Sequence, residues 1–457
     1  MIILPTNTAN DSQQDNDVVK AWEWFKSFIP EKEWKKRKAD IEKTITVESR
    51  TTEPFSEFLT SGTLLSIKDD VIGWYLYLIE MLLNDPLKYE PFQGARVIPI
   101  FKRFGIDLEL LKNIEGIERR IKGMIKKRRS EADAILFEIL TALLWARNGY
   151  KVSFVPERHQ GKTPDLIAEK GNEKLSIECK RQTKTGEYSY QETAKRQKMV
   201  SFINELLMKN NILLNIVFHV ELETLPDDYL LQLLKTKLKL AIPGKIVSNK
   251  EVDIDLSFVD IFAIKEYLNK YGFIKNPSPT LHKLIGGTPV DNKSFTCGVY
   301  ANFTKLDDSN VSNAYIRDIS NAYGVYWDCD AEEVIWKKAR DIKKQIYKAI
   351  QQFTSDTTGV IHVGMETYEN YKVENKRFEK IKETIKDIDP NKSNLRWIFC
   401  HFFQSYTPSD LDWIFDETVS TISPYVNKES PLNPKLMIVP EDKDTMNDIL
   451  HWDRPLP

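Results

Sequence analysis

Residues 130–181 read SEADAILFEILTALLWARNGYKVSFVPERHQGKTPDLIAEKGNEKLSIECKR, and the order of patterns within them decides the fold. Ile135, Ile139, Leu140, Leu143, Leu144 and Ala146 recur at helical spacing, so one helix is expected over 131–148. Ser130 followed by Asp133 reads as a capping-box start. Asn148-Gly149 reads as the end, because glycine accepts the left-handed conformation that closes a helix. Tyr150 to Val155 is short, apolar and partly β-branched, which predicts a strand near 151–156. Two more apolar runs, 164–169 and 174–180, are joined by Gly171-Asn172, a two-residue hairpin turn with glycine first.

That turn fixes a register. Leu166 faces Ile177 and Ala168 faces Leu175 on the buried side, while Glu169 faces Lys174. On the outer side Asp165 falls opposite Glu178. Facing Cβ atoms lie about 5 Å apart, and like charges there destabilise a sheet. A divalent cation between them removes the penalty. Lys180, two residues past Glu178, projects from the same face. Mg²⁺ takes carboxylate oxygens and keeps several waters, so Asp165 and Glu178 are the candidate ligands, with the backbone carbonyl of Cys179 as a third. A metal lowers the pKa of its bound water and stabilises charge on a phosphate. Lys180 is placed to orient or deprotonate that water, or to neutralise developing charge. Glu138, reaching in from the helix, is placed to hold a second metal or a metal-bound water. Glu131 is its rival, about 10 Å up the helix axis; a first-turn carboxylate there is explained by the helix dipole alone.

Through Pro164-Asp165, Glu178-Cys179-Lys180 and Glu138, the segment resembles the PD-(D/E)XK nuclease superfamily, the restriction-endonuclease-like fold. The resemblance implies an α/β protein with an αβββαβ core. Here that core is helix 131–148, the three strands, a helix at about 191–209 and a strand at about 212–221. The pattern is closest to the Mrr-type branch, whose helix glutamate also lies near a Gly-Tyr pair, here Gly149-Tyr150. The implied activity is a Mg²⁺-dependent endonuclease, with Mn²⁺ able to substitute and DNA as the favoured substrate. Restriction, anti-phage defence or DNA processing is the implied setting, as a homodimer or within a larger defence complex. An RNA-cleaving nuclease stays open, as does a nucleic-acid-binding or scaffolding subunit with an idle site. The short motifs are not specific by themselves: Pro226-Asp227 repeats one, and Glu33–Lys35 and Glu374–Lys376 repeat the other. The flanking strands, the turn and the helix glutamate carry the weight.

The rest of the chain sets the context. Its 457 residues suggest two or three domains: a mostly helical region over 1–128, the core over 129–222, and an α/β region of unassigned role over 223–457. A hydrophobic content of 41% and a charged content of 29% are ordinary for a globular protein. Four cysteines without a Cys-x-x-Cys exclude a disulfide framework and a zinc site. No secretory leader is legible at the start, and the longest apolar run, 71–83, is too short to span a bilayer. A cytoplasmic protein with no membrane partner is expected. The net charge of −2 leaves nucleic-acid binding to local patches. The run 119–130 and the segment 180–198, which also holds Lys184, offer Lys126, Lys127, Arg128, Arg129, Arg181, Lys195 and Lys198 as phosphate contacts. His159 is read as a bystander in its loop.

Helices are expected over 17–43 and 68–84, with shorter ones over 97–128 and an amphipathic one over 224–240. The cluster YWDCD (326–330) reads as a strand end with a helix N-cap. Downstream, a helix over 331–353, a strand over 359–366, a helix over 371–388 and a strand over 395–403 predict a parallel, covered sheet. That sheet either extends the first one or forms its own domain. Its His362, Cys400 and His401 are expected to be buried strand residues. The tail after Pro440 is expected to be loosely ordered.

Overall fold

The computed structural model describes residues 15–50, 67–156, 163–182, 186–240, 242–287, 294–305, 314–339, 342–353, 357–367, 371–389, 394–424 and 430–440. His159, Lys184 and the tail after Pro440 lie outside the described residues. In chain order the strands are β1 (Lys151–Phe154), β2 (Leu166–Lys170), β3 (Glu173–Gln182), β4 (Ile212–Phe218), β5 (Gly244–Ser248), β6 (Val252–Phe258), β7 (Ile274–Asn276), β8 (Ser294–Lys305), β9 (Ala314–Cys329), β10 (Thr358–Glu366), β11 (Leu395–Tyr406) and β12 (Ile414–Ile422). They build a mixed α/β protein with two mixed sheets. The first runs β1-β2-β3-β10-β11-β12; the second runs β5-β6-β4-β9-β7, with β8 paired to β9.

The hairpin adopts the register that its turn dictates. Leu166 pairs with Ile177, Ala168 with Leu175 and Glu169 with Lys174, and Gly171 takes a φ of +59°. Leu166, Ala168, Leu175 and Ile177 are fully buried, each of the larger ones contributing about 1.5–3 kcal/mol.

The strand that continues this sheet is not the expected one. The run 212–221 was expected to complete the core, but Ile212–Phe218 lies in the second sheet, between β6 and β9. β3 instead pairs in parallel with β10, Ile177 opposite Val360 and Cys179 opposite His362. The burial patterns give the reason. Along β4, buried and half-buried residues alternate, as in a strand with one covered face. In β10 the residues from Gly359 to Met365 are all buried, the continuous run of a parallel strand covered on both sides. The C-terminal α/β region therefore extends the first sheet, through parallel β10–β11 and antiparallel β11–β12.

Helices cover both faces. The helix Ala132–Arg147 lies on one, where Phe137 packs over Gly364 so closely that a Cβ there would meet the ring at 2.5 Å. On the other, Ile346, Ala349, Phe378, Ile381 and Ile385 of Lys343–Ile350 and Tyr371–Lys386 pack against Ile361, Val363, Ile398, Cys400 and Phe402. His362, Cys400 and His401 are fully buried, as expected. Trp145 Nε1 donates to His362 Nε2 at 2.9 Å, and His362 Nδ1 lies 2.9 Å from His401 Nε2.

Several helix boundaries differ from expectation. The Ser130 capping box does not form: residues Arg129–Glu131 make a 3₁₀ turn, and Asp133 instead accepts the Tyr75 hydroxyl at 2.6 Å. The far end behaves as expected: Gly149 has a φ of +80°, and the Gly149 and Tyr150 N–H groups donate to Ala146 and Trp145. The 17–43 helix is two, Asn16–Lys26 and Glu31–Arg50, separated at Pro30, which cannot continue a helix from its own nitrogen. The 224–240 segment is reduced to Tyr229–Leu234 and Lys237–Leu240. The 331–353 helix is also two, Glu332–Lys338 and Lys343–Ile350. There Lys380 caps the carbonyls of Trp336 and Ala339, both at 2.7 Å, taking the place of the next helical turn. In YWDCD the strand end holds, but the N-cap is Ala331. Among the described residues, no helix is long and apolar enough to cross a membrane.

Candidate active site

Asp165 stands immediately before β2. Its carbonyl accepts the Val155 N–H at 3.0 Å, which ties the end of the 157–164 connection to the residue after β1. Its carboxylate Oδ2 accepts the Cys179 N–H at 2.8 Å. This bond holds Asp165 beside β3, one residue past Glu178. Glu178 and Lys180 alternate with Cys179 along the strand and so share a face. Glu178 is only 1% exposed. Its Oε1 pairs with the Lys180 ammonium, while Oε2 is buried without a hydrogen-bond partner.

Glu138 approaches from the helix Ala132–Arg147 and is 7% exposed. Its Oε2 accepts Arg120 Nε at 2.7 Å and pairs with a second nitrogen of the same guanidinium. Arg120 belongs to the helix Ile117–Lys126, which buries Ile117, Ile121, Met124 and Ile125. This helix is anchored to β1: Arg119 donates to the Phe154 carbonyl at 3.0 Å, and Glu115 exchanges backbone hydrogen bonds with Val152 and Phe154.

The electrostatics place the three carboxylates in one field. Burial, then the Asp165 charge, raises Glu138 to about 8 against the pull of Arg120. Burial, then Asp165, raises Glu178 to about 7 against Lys180. Burial also raises Asp165, opposed by the Cys179 N–H, Lys180, Arg120 and Arg128. Burial works to lower the Lys180 pKa, but Glu178 and Asp165 outweigh it and leave this ammonium raised.

Among the described residues, no three His, Cys, Asp or Glu side chains gather at the spacing of a metal cage. The donor set that does fit is smaller. Half-buried Asp165 and buried Glu178 form an acidic pair, and Glu178 Oε2 has no hydrogen-bond partner. Mg²⁺ is commonly held by one or two carboxylates, with waters and substrate phosphates completing its shell.

The expected helix glutamate is Glu138, and it does stand within the field of Asp165. Glu131 is half-exposed and pairs with Arg128 at 2.6 Å. The expected single basic patch is not assembled. Lys126 and Lys127 are exposed. Arg128 adds its field to Glu138 and Asp165 while bonded to Glu131. Arg129 donates to the Ile125 carbonyl and to Glu33, which fixes it to the helical region. Arg181 follows Lys180 by one residue and so points to the opposite face. There its side chain is largely covered, paired with Glu366 and stacked over Phe403 at 4.8 Å. Lys195 and Lys198 both close on Asp227, at 2.6 and 2.5 Å.

Sequence reasoning passed over Arg120, although its signal was available. It lies three residues after Ile117, beside Ile121 and four before Met124, a cation set into the apolar stripe of an amphipathic helix. It also passed over the network in which Arg96 and Arg181 converge on Glu366. Comparisons of the chain with protein-family models, curated proteins and solved structures return no match.

Proposed function

We propose that this protein is a metal-dependent phosphodiesterase, a PD-(D/E)XK-type endonuclease that uses Mg²⁺ and acts on DNA. The observation that carries the reading is Glu178 Oε2, a buried carboxylate oxygen without a partner, beside Asp165 and Lys180. The topology supports it in amended form. Helix Ala132–Arg147, β1, β2, β3, helix Lys343–Ile350 and β10 follow the αβββαβ order, with Lys343–Ile350 and β10 in the places first given to residues 191–209, which form the two helices Glu187–Ser201 and Asn204–Lys209, and to residues 212–221. The second sheet is then an insertion between β3 and the rest of the core.

Asp165 and Glu178 would hold the metal, with the Cys179 backbone adjoining them. A bound Mg²⁺ supplies Lewis acidity to the phosphate and acidifies a water. The remaining chemistry belongs to the chain. Lys180, free to leave Glu178 once that carboxylate takes a metal, presents N–H donors to a water or to the charge building on the phosphate. The Cys179 N–H fixes the Asp165 carboxylate, so the ligand geometry is set before substrate arrives. Burial excludes bulk water from Glu178 and strengthens each of these interactions.

The test is cleavage of plasmid DNA and of structured RNA, with Mg²⁺ or Mn²⁺ and with EDTA, by the wild type and by Asp165→Ala. Metal-dependent nicking of DNA that disappears in Asp165→Ala is expected. Cleavage of RNA alone would move the substrate class. Activity that survives in Asp165→Ala, or is absent on both substrates, would reject the reading.

A further inference from the structure

We infer that Arg120 fills the place of a second metal ion, so that the site works with a single divalent cation. This rests on the nuclease reading above and concerns the residue opposite the metal carboxylates. Glu138 is the carboxylate that would hold a second metal, and its Oε2 is already occupied by two nitrogens of Arg120. A guanidinium keeps its charge at any working pH. Nor is Arg120 easily withdrawn. Its helix is clamped to the core by Ile117, Ile121, Met124 and Ile125, and to β1 by Arg119 and Glu115.

Charge counting points the same way. With all three carboxylates ionised, Glu138 is matched by Arg120 and Glu178 by Lys180, while the Asp165 carboxylate is hydrogen-bonded to a neutral N–H. Arg128 is matched by Glu131. In that fully ionised state, the one a bound metal favours, the site carries one net negative charge. One divalent cation leaves it one positive, and one phosphodiester returns it to neutrality. A second divalent cation would leave an excess that a single phosphodiester cannot cancel, next to a fixed guanidinium. In this arrangement Arg120 turns part of its donor fork toward a non-bridging phosphate oxygen when substrate binds. That is the role guanidinium groups take at transferring phosphoryl groups.

The experiment counts Mn²⁺ bound per full-length chain, by calorimetry and by electron paramagnetic resonance without DNA, for wild type, Arg120→Ala, Arg120→Lys and Glu138→Gln. Cleavage rate against Mn²⁺ concentration is recorded alongside. The expected result is one Mn²⁺ in wild type, Arg120→Lys and Glu138→Gln, with a first-order metal dependence in wild type. Arg120→Ala should bind two, with cleavage lower by roughly 10²-fold and a second-order metal dependence. Two Mn²⁺ in wild type falling to one in Glu138→Gln, or one Mn²⁺ in a folded Arg120→Ala, would overturn the inference and leave the nuclease reading standing. No Mn²⁺ in wild type would overturn both.

Discussion

Replacing Glu178 by glutamine should stabilise the metal-free protein, and by an amount that depends on pH. Glu178 is almost fully buried, and burial beside Asp165 raises its carboxyl from 4.5 to about 7. The folded protein therefore holds this proton more tightly than the unfolded chain does. Stability must then fall as pH rises from about 4.5 to about 7, and stay level above that. Integrated over this window, the ionised Glu178 costs about 1 kcal/mol at pH 5 and on the order of 3 kcal/mol at pH 8. Glutamine keeps the shape and removes the charge. For 457 residues unfolding together, the entropy is about 1 kcal/mol per kelvin, so the gain at pH 8 is roughly 3 °C in Tm, against about 1 °C at pH 5. The assay is thermal melting followed by near-UV circular dichroism in EDTA, for wild type and Glu178→Gln at both pH values. Mg²⁺ at 1,000 times its Kd should reverse the order, because a ligand at that excess adds about 4.1 kcal/mol to the protein that binds it, more than the variant gains at pH 8. A variant that melts at or below the wild type in EDTA at pH 8 would refute the reasoning.

Three other outcomes follow from the site. Lys180→Ala should lower turnover by roughly 10²- to 10³-fold while Mn²⁺ binding by calorimetry stays largely intact, since Lys180 pairs with a ligand and is not one. Glu138→Ala should damage cleavage more than Glu131→Ala, because Glu138 is buried beside Asp165 whereas Glu131 pairs with Arg128 at the surface; the reverse order in a plasmid assay would exchange their roles. Reversing the exposed Lys126 and Lys127 to glutamate should weaken DNA binding on unrelated sequences alike and reduce its salt slope by about one per lost contact. An unchanged slope in fluorescence anisotropy would remove both lysines from the interface.

The hairpin was legible because a two-residue turn leaves one register, and that register carried Asp165, Glu178 and Lys180 to one place. The fourth strand of the sheet was not. Ile212–Phe218 is the next apolar run in the chain, and nothing local distinguishes a strand that joins this sheet from one that opens another. Only the comparison of one-sided burial in β4 with two-sided burial in β10 separates them. Arg181 was misplaced although strand alternation alone sends it away from Lys180. Arg96 and Glu366 lie 270 residues apart, and no short-range pattern could pair them.

The distance between β3 and β10 has a consequence for the birth of the protein. Gln182 and Thr358 bound these strands, about 175 residues apart in the chain. At 5–20 residues per second, a ribosome needs on the order of ten to thirty seconds to cross that interval. Throughout it, the acid-bearing hairpin is exposed with its β3 edge bare, while the strand that seats it has not been made. The acidic cluster is thus among the earlier parts to be synthesised and among the last to be seated in its full sheet. A chain cut short between β3 and β10 carries Glu138, Asp165, Glu178 and Lys180 but lacks the strand that pairs with β3. Under the proposed nuclease reading, such a delay keeps every unfinished copy inactive.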